Sequence, residues 1–318
     1  MRRMLRPVRA YDATRGFMNS PNFFIAGAPK CGTSALYAYL NAHPNIFIST
    51  PKEPQYFAED LPRYRLVATE PEYLRLFKDC TTDHIARGEA STSYLFSSAA
   101  MKRIRERYPD TRIIAMLRDP VDMVYAWHAQ CILNGDETEQ DFARAWELQE
   151  PRRMGQALPR RCRHKELLLY KDWGMYSGQV ERLFNCFPRE QVRIIVFDDF
   201  VRDTRRVYED VLEFLGVPQD GRDEFPRINE NQMLRSKWIG NYLENPPRLV
   251  RYVAKGVKNL AGCNTIGLLE PLIRLNRKKM QRPRLPAEFR ARLALEFKDD
   301  VRRLSALLDR DLDHWVCS

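Results

Sequence analysis

Several features that would mark a membrane protein or a disulfide-bonded protein are missing from this 318-residue sequence. No apolar run approaches the roughly 20 residues that a membrane-spanning helix needs. Residues 1–17 are basic but have no apolar stretch after their arginines, so we expect neither a signal peptide nor an anchor there. The seven cysteines are scattered and include no CxxC pair, which argues against a disulfide framework. We therefore expect a soluble cytoplasmic protein with reduced thiols.

Internal repeats and low-complexity linkers are also missing, so the sequence predicts a single domain over residues 1–318. Within this domain we expect an N-terminal extension at 1–20, an irregular basic lobe at about 220–285 and a C-terminal helix within 286–318. The C-terminal helix is expected to pack on the core through one apolar stripe, formed by Phe289, Leu293, Phe297, Val301, Leu304 and Leu308.

Acidic side chains are the minority, since 42 Asp and Glu stand against 52 Lys and Arg, a formal net charge of +10. Residues 245–285 hold ten Lys or Arg and one acid, Glu270, and a second basic cluster spans 152–165. This balance suits nucleic acid, an anionic membrane surface or an anionic small ligand. Nucleic acid is not expected, because no recognition motif occurs and few aromatic residues are interleaved with the basic ones. Contact with a membrane through an amphipathic helix at 249–260 stays an alternative, but glycines and asparagines interrupt its pattern.

Short apolar runs at 22–26, 85–89, 112–117 and 192–197 predict strands that are buried on both faces. Helical patterns lie between and after these runs, at 33–41, 97–108, 120–133, 139–148, 172–187 and 200–215. Strands that alternate with helices predict an α/β fold with a central parallel sheet flanked by helices.

The stretch GAPKCGTS, which follows the first predicted strand, has the layout of a phosphate-binding loop. Gly27 and Gly32 keep the spacing of a Walker A loop, but Thr33 stands where the lysine of that loop would be. Lys30 lies three residues earlier. Backbone N–H groups of Gly32, Thr33 and Ser34, at the positive end of the next helix, can hold an anion. No clear Walker B aspartate follows, so we expect no metal.

Two later segments carry side chains suited to chemistry. TPKEPQYF places Glu53 beside Lys52, and its carboxylate could serve as a general base or only pair with that lysine. Arg118 directly follows the third predicted strand, at the edge where open α/β sheets bind ligands, and its guanidinium can clamp a phosphate. His128, on the helix after Arg118, is the second candidate base.

Taken together, these segments resemble the PAPS-dependent sulfotransferases, where PAPS is 3′-phosphoadenosine 5′-phosphosulfate. GAPKCGTSALYAYLNAHPNIF resembles their 5′-phosphosulfate loop, and RIIAMLRDPVDMVYAWHAQ resembles their 3′-phosphate motif. TPKEPQYFAED resembles the lysine–glutamate segment of the bacterial and heparan-sulfate-type members, and the similarity continues to about residue 308. The resemblance implies a three-layer fold like that of the P-loop NTPases and a sulfuryl transfer from PAPS to a hydroxyl or amine, with PAP as product.

The resemblance also implies roles for single residues. Lys30 would stabilise the leaving phosphate, and Glu53 would be the catalytic base, with His128 in reserve. The residues expected to contact PAPS are Lys30, Cys31, Gly32, Thr33, Ser34, Arg118, Arg235 and Lys237.

Three positions depart from the pattern of these relatives. Gln55 stands where glycosaminoglycan-modifying members often have a histidine, and Ala90 stands where they often have a lysine. Both departures argue against a heparan-type acceptor. Ala126 stands where the family usually has a serine that binds the 3′-phosphate, which argues for weaker binding of that group.

The leading hypothesis is therefore a PAPS-dependent sulfotransferase that acts on a carbohydrate, lipid or natural-product acceptor. The alternatives are a P-loop kinase of a nucleotide or small molecule, a non-catalytic module that binds anions or nucleic acid, and a sulfotransferase relative that binds nucleotide without turnover. The acceptor and the oligomeric state are left open.

Overall fold

A parallel sheet of five short strands forms the centre of the computed structural model, which describes residues 20–228, 232–234, 277–279 and 283–317. In chain order the strands are β1 Phe23–Gly27, β2 Ile46–Ile48, β3 Ala86–Ala90, β4 Arg112–Leu117 and β5 Val192–Val196. Their order across the sheet is β2-β3-β1-β4-β5, and every neighbouring pair is parallel. The carboxyl ends of all five strands therefore lie at one edge.

Helices cover both faces of this sheet, as the burial of its central strands shows. All five residues of β1 and five of the six residues of β4 are buried, although successive side chains of a strand point to opposite faces. In chain order, the helices of the whole described chain, in both of the units defined below, are α1 Thr33–Asn41, α2 Glu70–Arg75, α3 Ala100–Arg107, α4 Pro120–Leu133, α5 Phe142–Glu147, α6 Gln149–Arg153, α7 Tyr170–Gly174, α8 Tyr176–Cys186, α9 Phe197–Arg202, α10 Thr204–Leu215 and α11 Ala287–Leu308. The predicted α/β fold with a central parallel sheet is confirmed.

Two predicted helices are each split in the structure. The pattern at 200–215 covers parts of α9 and α10, because the side chain of Asp203 accepts from the N–H of Arg206 and starts a new helix. The pattern at 172–187 covers parts of α7 and α8, which meet at Gly174 and Met175. A Cβ atom at Gly174 would lie 2.6 Å from the ring of Phe297, so only glycine allows this close approach.

The C-terminal helix α11 buries the predicted apolar stripe. Leu293, Phe297, Val301 and Leu304 are fully buried, while Phe289 and Leu308 at its two ends are half-buried. Asp300, on the same helix, accepts the N–H of Ser177 at the start of α8.

The described residues group into two compact units. The first unit comprises 20–124, 171–226 and 294–317 and contains the five-stranded sheet. The second comprises 125–170 and the described parts of 227–293, where Gln232–Leu234 pairs antiparallel with Arg277–Lys279 as β6 and β7. The single domain over 1–318 stays a prediction, and both the N-terminal extension and most of the basic lobe lie outside the described residues.

Within the described part of the chain, no helix has the length and apolarity needed to cross a membrane. The six cysteines of that part are all free of disulfide bonds.

Candidate functional site

The loop between β1 and α1 presents a helix N-terminus. Gly32 is the N-cap of α1 and adopts a φ of 90°, a left-handed conformation that favours glycine. The N–H of Ala35 donates back to the Gly32 carbonyl at 2.9 Å, so the helical hydrogen bonds begin beyond the N–H groups of Gly32, Thr33 and Ser34. No acidic residue lies in the first turn. These N–H groups have the arrangement that suits an anion, and the binding of an anion there stays a prediction.

Cys31 contributes to this loop through packing. Its side chain is fully buried, and its Sγ lies 3.3 Å from the Pro29 carbonyl and 3.8 Å from the Tyr176 hydroxyl. Burial raises the pKa of the Cys31 thiol to about 12, so the thiol stays protonated at neutral pH. Because the thiol is fully buried and donates to the Pro29 carbonyl, a contact between Cys31 and an anion would have to come from its backbone.

Arg118 lies directly after β4, beside the loop. Its guanidinium pairs with Asp122 at 3.0 Å and lies 4.9 Å above the centre of the Phe197 ring. Asp119 accepts the N–H of Val121 at 2.8 Å and so caps α4, which begins at Pro120. Arg118 is 28% exposed and could turn its guanidinium from Asp122 to a phosphate.

Phe197 joins the loop to Arg118 and was missed by the sequence reasoning. A Cβ atom at Gly32 would lie 3.0 Å from the Phe197 ring, the same ring that carries the Arg118 guanidinium. Phe197 directly follows β5, which pairs with β4. Placing β5 beside β4 would have been the signal, because it brings Phe197 to the edge where Arg118 lies.

Glu53 lies at the same edge of the sheet, near the end of β3. Its N–H donates to the Ala90 carbonyl at 2.9 Å, and its Oε1 accepts from Lys52 Nζ at 2.9 Å and from Thr92 Oγ1 at 3.2 Å. Burial opposes ionisation of Glu53, but the charge of Lys52, these two hydrogen bonds and the charge of Lys30 outweigh it and hold its pKa below the usual value. Glu53 is therefore ionised at neutral pH, the form that a general base needs.

Backbone strain is concentrated in these two segments. Five non-glycine residues of the described chain have a positive φ, and three of them are Lys30 at 61°, Glu53 at 63° and Gln55 at 55°. A left-handed conformation costs a non-glycine residue about 1–2 kcal/mol. Strain of this kind persists where the surrounding structure enforces it and is common at functional sites.

The structure thus brings together Lys30, the start of α1, Glu53 and Arg118. His128 belongs to the second unit, where it is 2% exposed and its Nε2 lies 2.9 Å from the Glu139 carbonyl oxygen. Its ring packs against Phe142 and Tyr170, an environment typical of a core histidine.

Of the remaining predicted residues, Arg235 and Lys237 lie outside the described residues. Ala126 is buried in α4. The described residues contain no cluster of three or more His, Cys, Asp or Glu side chains that could hold a metal ion.

Comparisons with known proteins point to one family. The sequence profile of the sulfotransferase domain matches residues 20–248. Human bifunctional heparan sulfate N-deacetylase/N-sulfotransferase 3 is 30% identical over 205 residues, which cover 62% of this chain and 22% of that protein. Human carbohydrate sulfotransferase 15 is 24% identical over 248 residues, which cover 62% of this chain and 44% of that protein. The chain thus spans less than half the length of these curated relatives.

A solved structure also matches over nearly the whole chain. A sulfotransferase from Alicyclobacillus acidocaldarius superposes with a TM-score of 0.67 at 29% sequence identity. The match covers 93% of this chain and 98% of that one.

Proposed function

Because the chain belongs to the sulfotransferase family, we propose that it transfers a sulfuryl group from PAPS to a hydroxyl or amine of an acceptor. The family resemblance predicted from the sequence is confirmed, and so is the fold that it implied. One observation carries the proposal: the loop with Lys30 follows β1, and Glu53 is held at the end of the neighbouring strand β3, where its N–H donates to the Ala90 carbonyl at 2.9 Å. A cation and a base are thereby held together at the ligand-binding edge of the sheet.

The residues at this edge fit the two phosphates of PAPS. The N–H groups at the start of α1 and the hydroxyls of Thr33 and Ser34 suit the 5′-phosphate. Arg118, directly after the neighbouring strand β4, suits the 3′-phosphate and would leave Asp122 to bind it. In this proposal Arg235 and Lys237, which lie outside the described residues, add positive charge.

Lys30 and Glu53 have different roles in the proposed transfer, one at the leaving group and one at the acceptor. Lys30 stabilises the negative charge that develops on the 5′-phosphate as its bond to sulfur breaks. Glu53 takes the proton from the attacking hydroxyl or amine, and its ionised state at neutral pH suits that step. His128 is the weaker candidate, because its Nε2 already lies against a backbone carbonyl in a packed core.

The names of the curated relatives, which include heparan sulfate and carbohydrate sulfotransferases, support a glycan acceptor. A lipid or natural-product alcohol fits the same chemistry. Gln55 and Ala90 differ from the glycosaminoglycan-type pattern, so we propose an acceptor other than heparan sulfate itself.

A transfer assay with labelled PAPS and a panel of glycan, lipid and phenolic acceptors tests the proposal. We expect sulfated product in EDTA, which separates sulfuryl transfer from the magnesium-dependent chemistry of a P-loop kinase. Glu53→Gln should lower the rate by ~10²–10⁴ and leave PAP binding intact. Glu181→Gln, at an exposed glutamate of α8, is the matched control. Phosphoryl transfer from MgATP, or no sulfated product with any acceptor, would overturn the proposal.

A further inference from the structure

Residues 90–94 hold residues 53–57 through hydrogen bonds at every position of the later segment. Residues 90–94 contribute one backbone carbonyl and four side-chain hydroxyls, and residues 53–57 contribute three backbone N–H groups and two side-chain oxygens. They are Glu53 N–H to Ala90 O, Gln55 N–H to Ser91 Oγ, Thr92 Oγ1 to Glu53 Oε1, Ser93 Oγ to Gln55 Oε1, and Phe57 N–H to the Tyr94 hydroxyl oxygen. The position of Glu53 is therefore set by a segment that directly follows β3.

Glu89, within β3, is a buried side chain that accepts hydrogen bonds from two of these residues, Ser91 and Tyr94. It is 0% exposed. Its Oε1 accepts from Ser91 Oγ, and its Oε2 accepts from the hydroxyls of Tyr73 at 2.8 Å and Tyr94 at 3.1 Å. Nothing in the proposed chemistry uses this carboxyl group directly.

A hydroxyl has one hydrogen to donate and two lone pairs to accept with. Ser91 and Tyr94 each give their hydrogen to Glu89, so their lone pairs face the N–H groups of Gln55 and Phe57, at 3.0 and 3.2 Å. An acceptor at residue 89 thus fixes the direction of two hydroxyls. These hydroxyls in turn hold the backbone at Gln55 and Phe57, directly after Pro54 and Tyr56.

We infer that Glu89 is a positioning residue for Glu53: its buried carboxylate orients the Ser91 and Tyr94 hydroxyls, which hold residues 53–57 in the strained conformation that presents the base. The inference rests on the proposed role of Glu53. It also explains the left-handed backbone at Glu53 and Gln55, since the N–H groups of both residues are hydrogen-bonded to residues 90–94.

The protonation state of Glu89 should then be visible in the rate. Burial raises the pKa of Glu89 to about 7, against the hydrogen bonds from Ser91, Tyr73 and Tyr94, and the nearby charge of Glu53 raises it further. Tyr108 is a further titratable group near this cluster, because it interacts electrostatically with Tyr73. Below pH 7 the protonated carboxyl must donate a hydrogen to a hydroxyl and no longer orients all three. The pKa of Glu53 is held low, so Glu53 itself stays ionised in this range.

Glu89→Gln is the first test, because glutamine keeps the shape but replaces one acceptor oxygen with an NH₂ donor. We expect kcat to fall on the order of 10–10²-fold, as misplacement of a reacting group does. PAP affinity and the KM for PAPS should stay unchanged, and the fall of the wild-type rate below pH 7 should be lost. Hydrogen exchange at the amides of residues 53–57 should become faster.

Tyr94→Phe and Tyr73→Phe form a matched pair. Both remove a hydroxyl that donates to Glu89 Oε2, but only Tyr94 also accepts from residues 53–57. We expect Tyr94→Phe to lower kcat and speed exchange at these amides, and Tyr73→Phe to change neither by more than about twofold. Ser91→Ala should resemble Tyr94→Phe.

Equal effects of the two tyrosine variants, or wild-type exchange rates at 53–57 in Glu89→Gln, would overturn the inference. The exchange measurement needs no substrate. A wild-type protein that transfers no sulfuryl group, yet shows the expected exchange pattern, would therefore overturn the proposed function and leave the positioning contacts supported.

Discussion

At the scale of single residues, Lys30 stands three residues before the position that the lysine of a Walker A loop would occupy. Its backbone has a φ of 61°, and its charge acts on Glu53. Lys30→Ala should lower kcat by ~10²–10³, the usual cost of losing one donor at a developing charge. Steady-state kinetics with PAPS measure this loss, and circular dichroism checks the fold.

Lys102→Ala, at an exposed lysine of α3, is the control for the loss of a positive charge. Lys30→Arg keeps the charge but moves it, and should recover only part of the rate. A fall of less than tenfold in Lys30→Ala would show that Lys30 does not stabilise the leaving group.

Arg118 offers a second prediction, on affinity. Arg118→Ala should weaken PAP by about 1.5–3 kcal/mol, the range for a hydrogen bond to a charged group. Adenosine 5′-phosphosulfate has no 3′-phosphate, so its binding should change little. Titration calorimetry with both ligands measures the difference.

Asp122→Ala is the informative control here, because it removes the carboxylate that pairs with Arg118 at 3.0 Å. PAP should bind this variant at least as tightly as the wild type. Equal weakening of both ligands in Arg118→Ala would mean that Arg118 supports the fold and not the 3′-phosphate.

Much of the site could be predicted from single residues, because its motifs are local. Gly32, Thr33 and Arg118 occupy the loop and strand end expected of them. Phe197 and the Glu89 contacts could not be predicted, because they depend on which strands are neighbours and on hydrogen bonds between distant segments. The group to which a hydroxyl donates its hydrogen depends on the fold, so no local pattern in the sequence predicts it.

At the scale of elements, the turn into α1 depends on Gly32. Its φ is 90°, and a Cβ atom would lie 3.0 Å from the Phe197 ring. Gly32→Ala should lower stability by about 1–2 kcal/mol from the left-handed backbone alone. The displaced ring should also weaken PAP binding. Urea denaturation and calorimetry measure the two effects.

Gly155→Ala is a matched control, because Gly155 has a φ of 79° and nothing lies within 4 Å of its absent Cβ. It should show the backbone cost without loss of PAP affinity. If Gly32→Ala behaved in the same way, the contact with Phe197 would have no part in nucleotide binding.

The elements differ in how well the sequence predicted them. β4, α1 and α4 have the predicted bounds, because long periodic or apolar runs and Pro120 mark them. β2 was missed, since its three residues are too few to show a pattern. Helix α5 begins at Phe142 and not at residue 139, because Asp141 caps it through the N–H groups of Ala143 and Arg144.

At the scale of the whole molecule, the net charge of +10 does not mean that every basic cluster is available to ligands. In the cluster at 152–165, Arg152 is buried against Glu137 at 2.7 Å, and Arg163 pairs with the buried Asp136. These two arginines therefore stabilise the second unit. We expect the anion site at the edge of the sheet instead, at Lys30 and Arg118.

The stability of the whole molecule should depend on pH through Glu89. Burial raises its pKa from 4.5 to about 7, so the folded state holds a proton that the unfolded state releases above about pH 4.5. The free energy of unfolding should then fall as pH rises from 4.5 to 7, by up to ~1.4 kcal/mol per pH unit, and level off above 7. The lowered pKa values of Glu53 and Glu137 act in the opposite direction, below about pH 4.5.

Glu89→Gln isolates this contribution, because glutamine does not titrate. From pH 5 to 7 the unfolding free energy of the wild type should fall relative to that of the variant. From pH 7 to 8 the difference between the two should stay constant. Urea denaturation at half-unit pH steps measures the difference. Glu181→Gln is the control, since it removes an exposed carboxylate of α8, away from β3. A difference between wild type and Glu89→Gln that stays constant from pH 5 to 8 would show that Glu89 is already ionised throughout this range. The fall in rate below pH 7 would then have to come from another group.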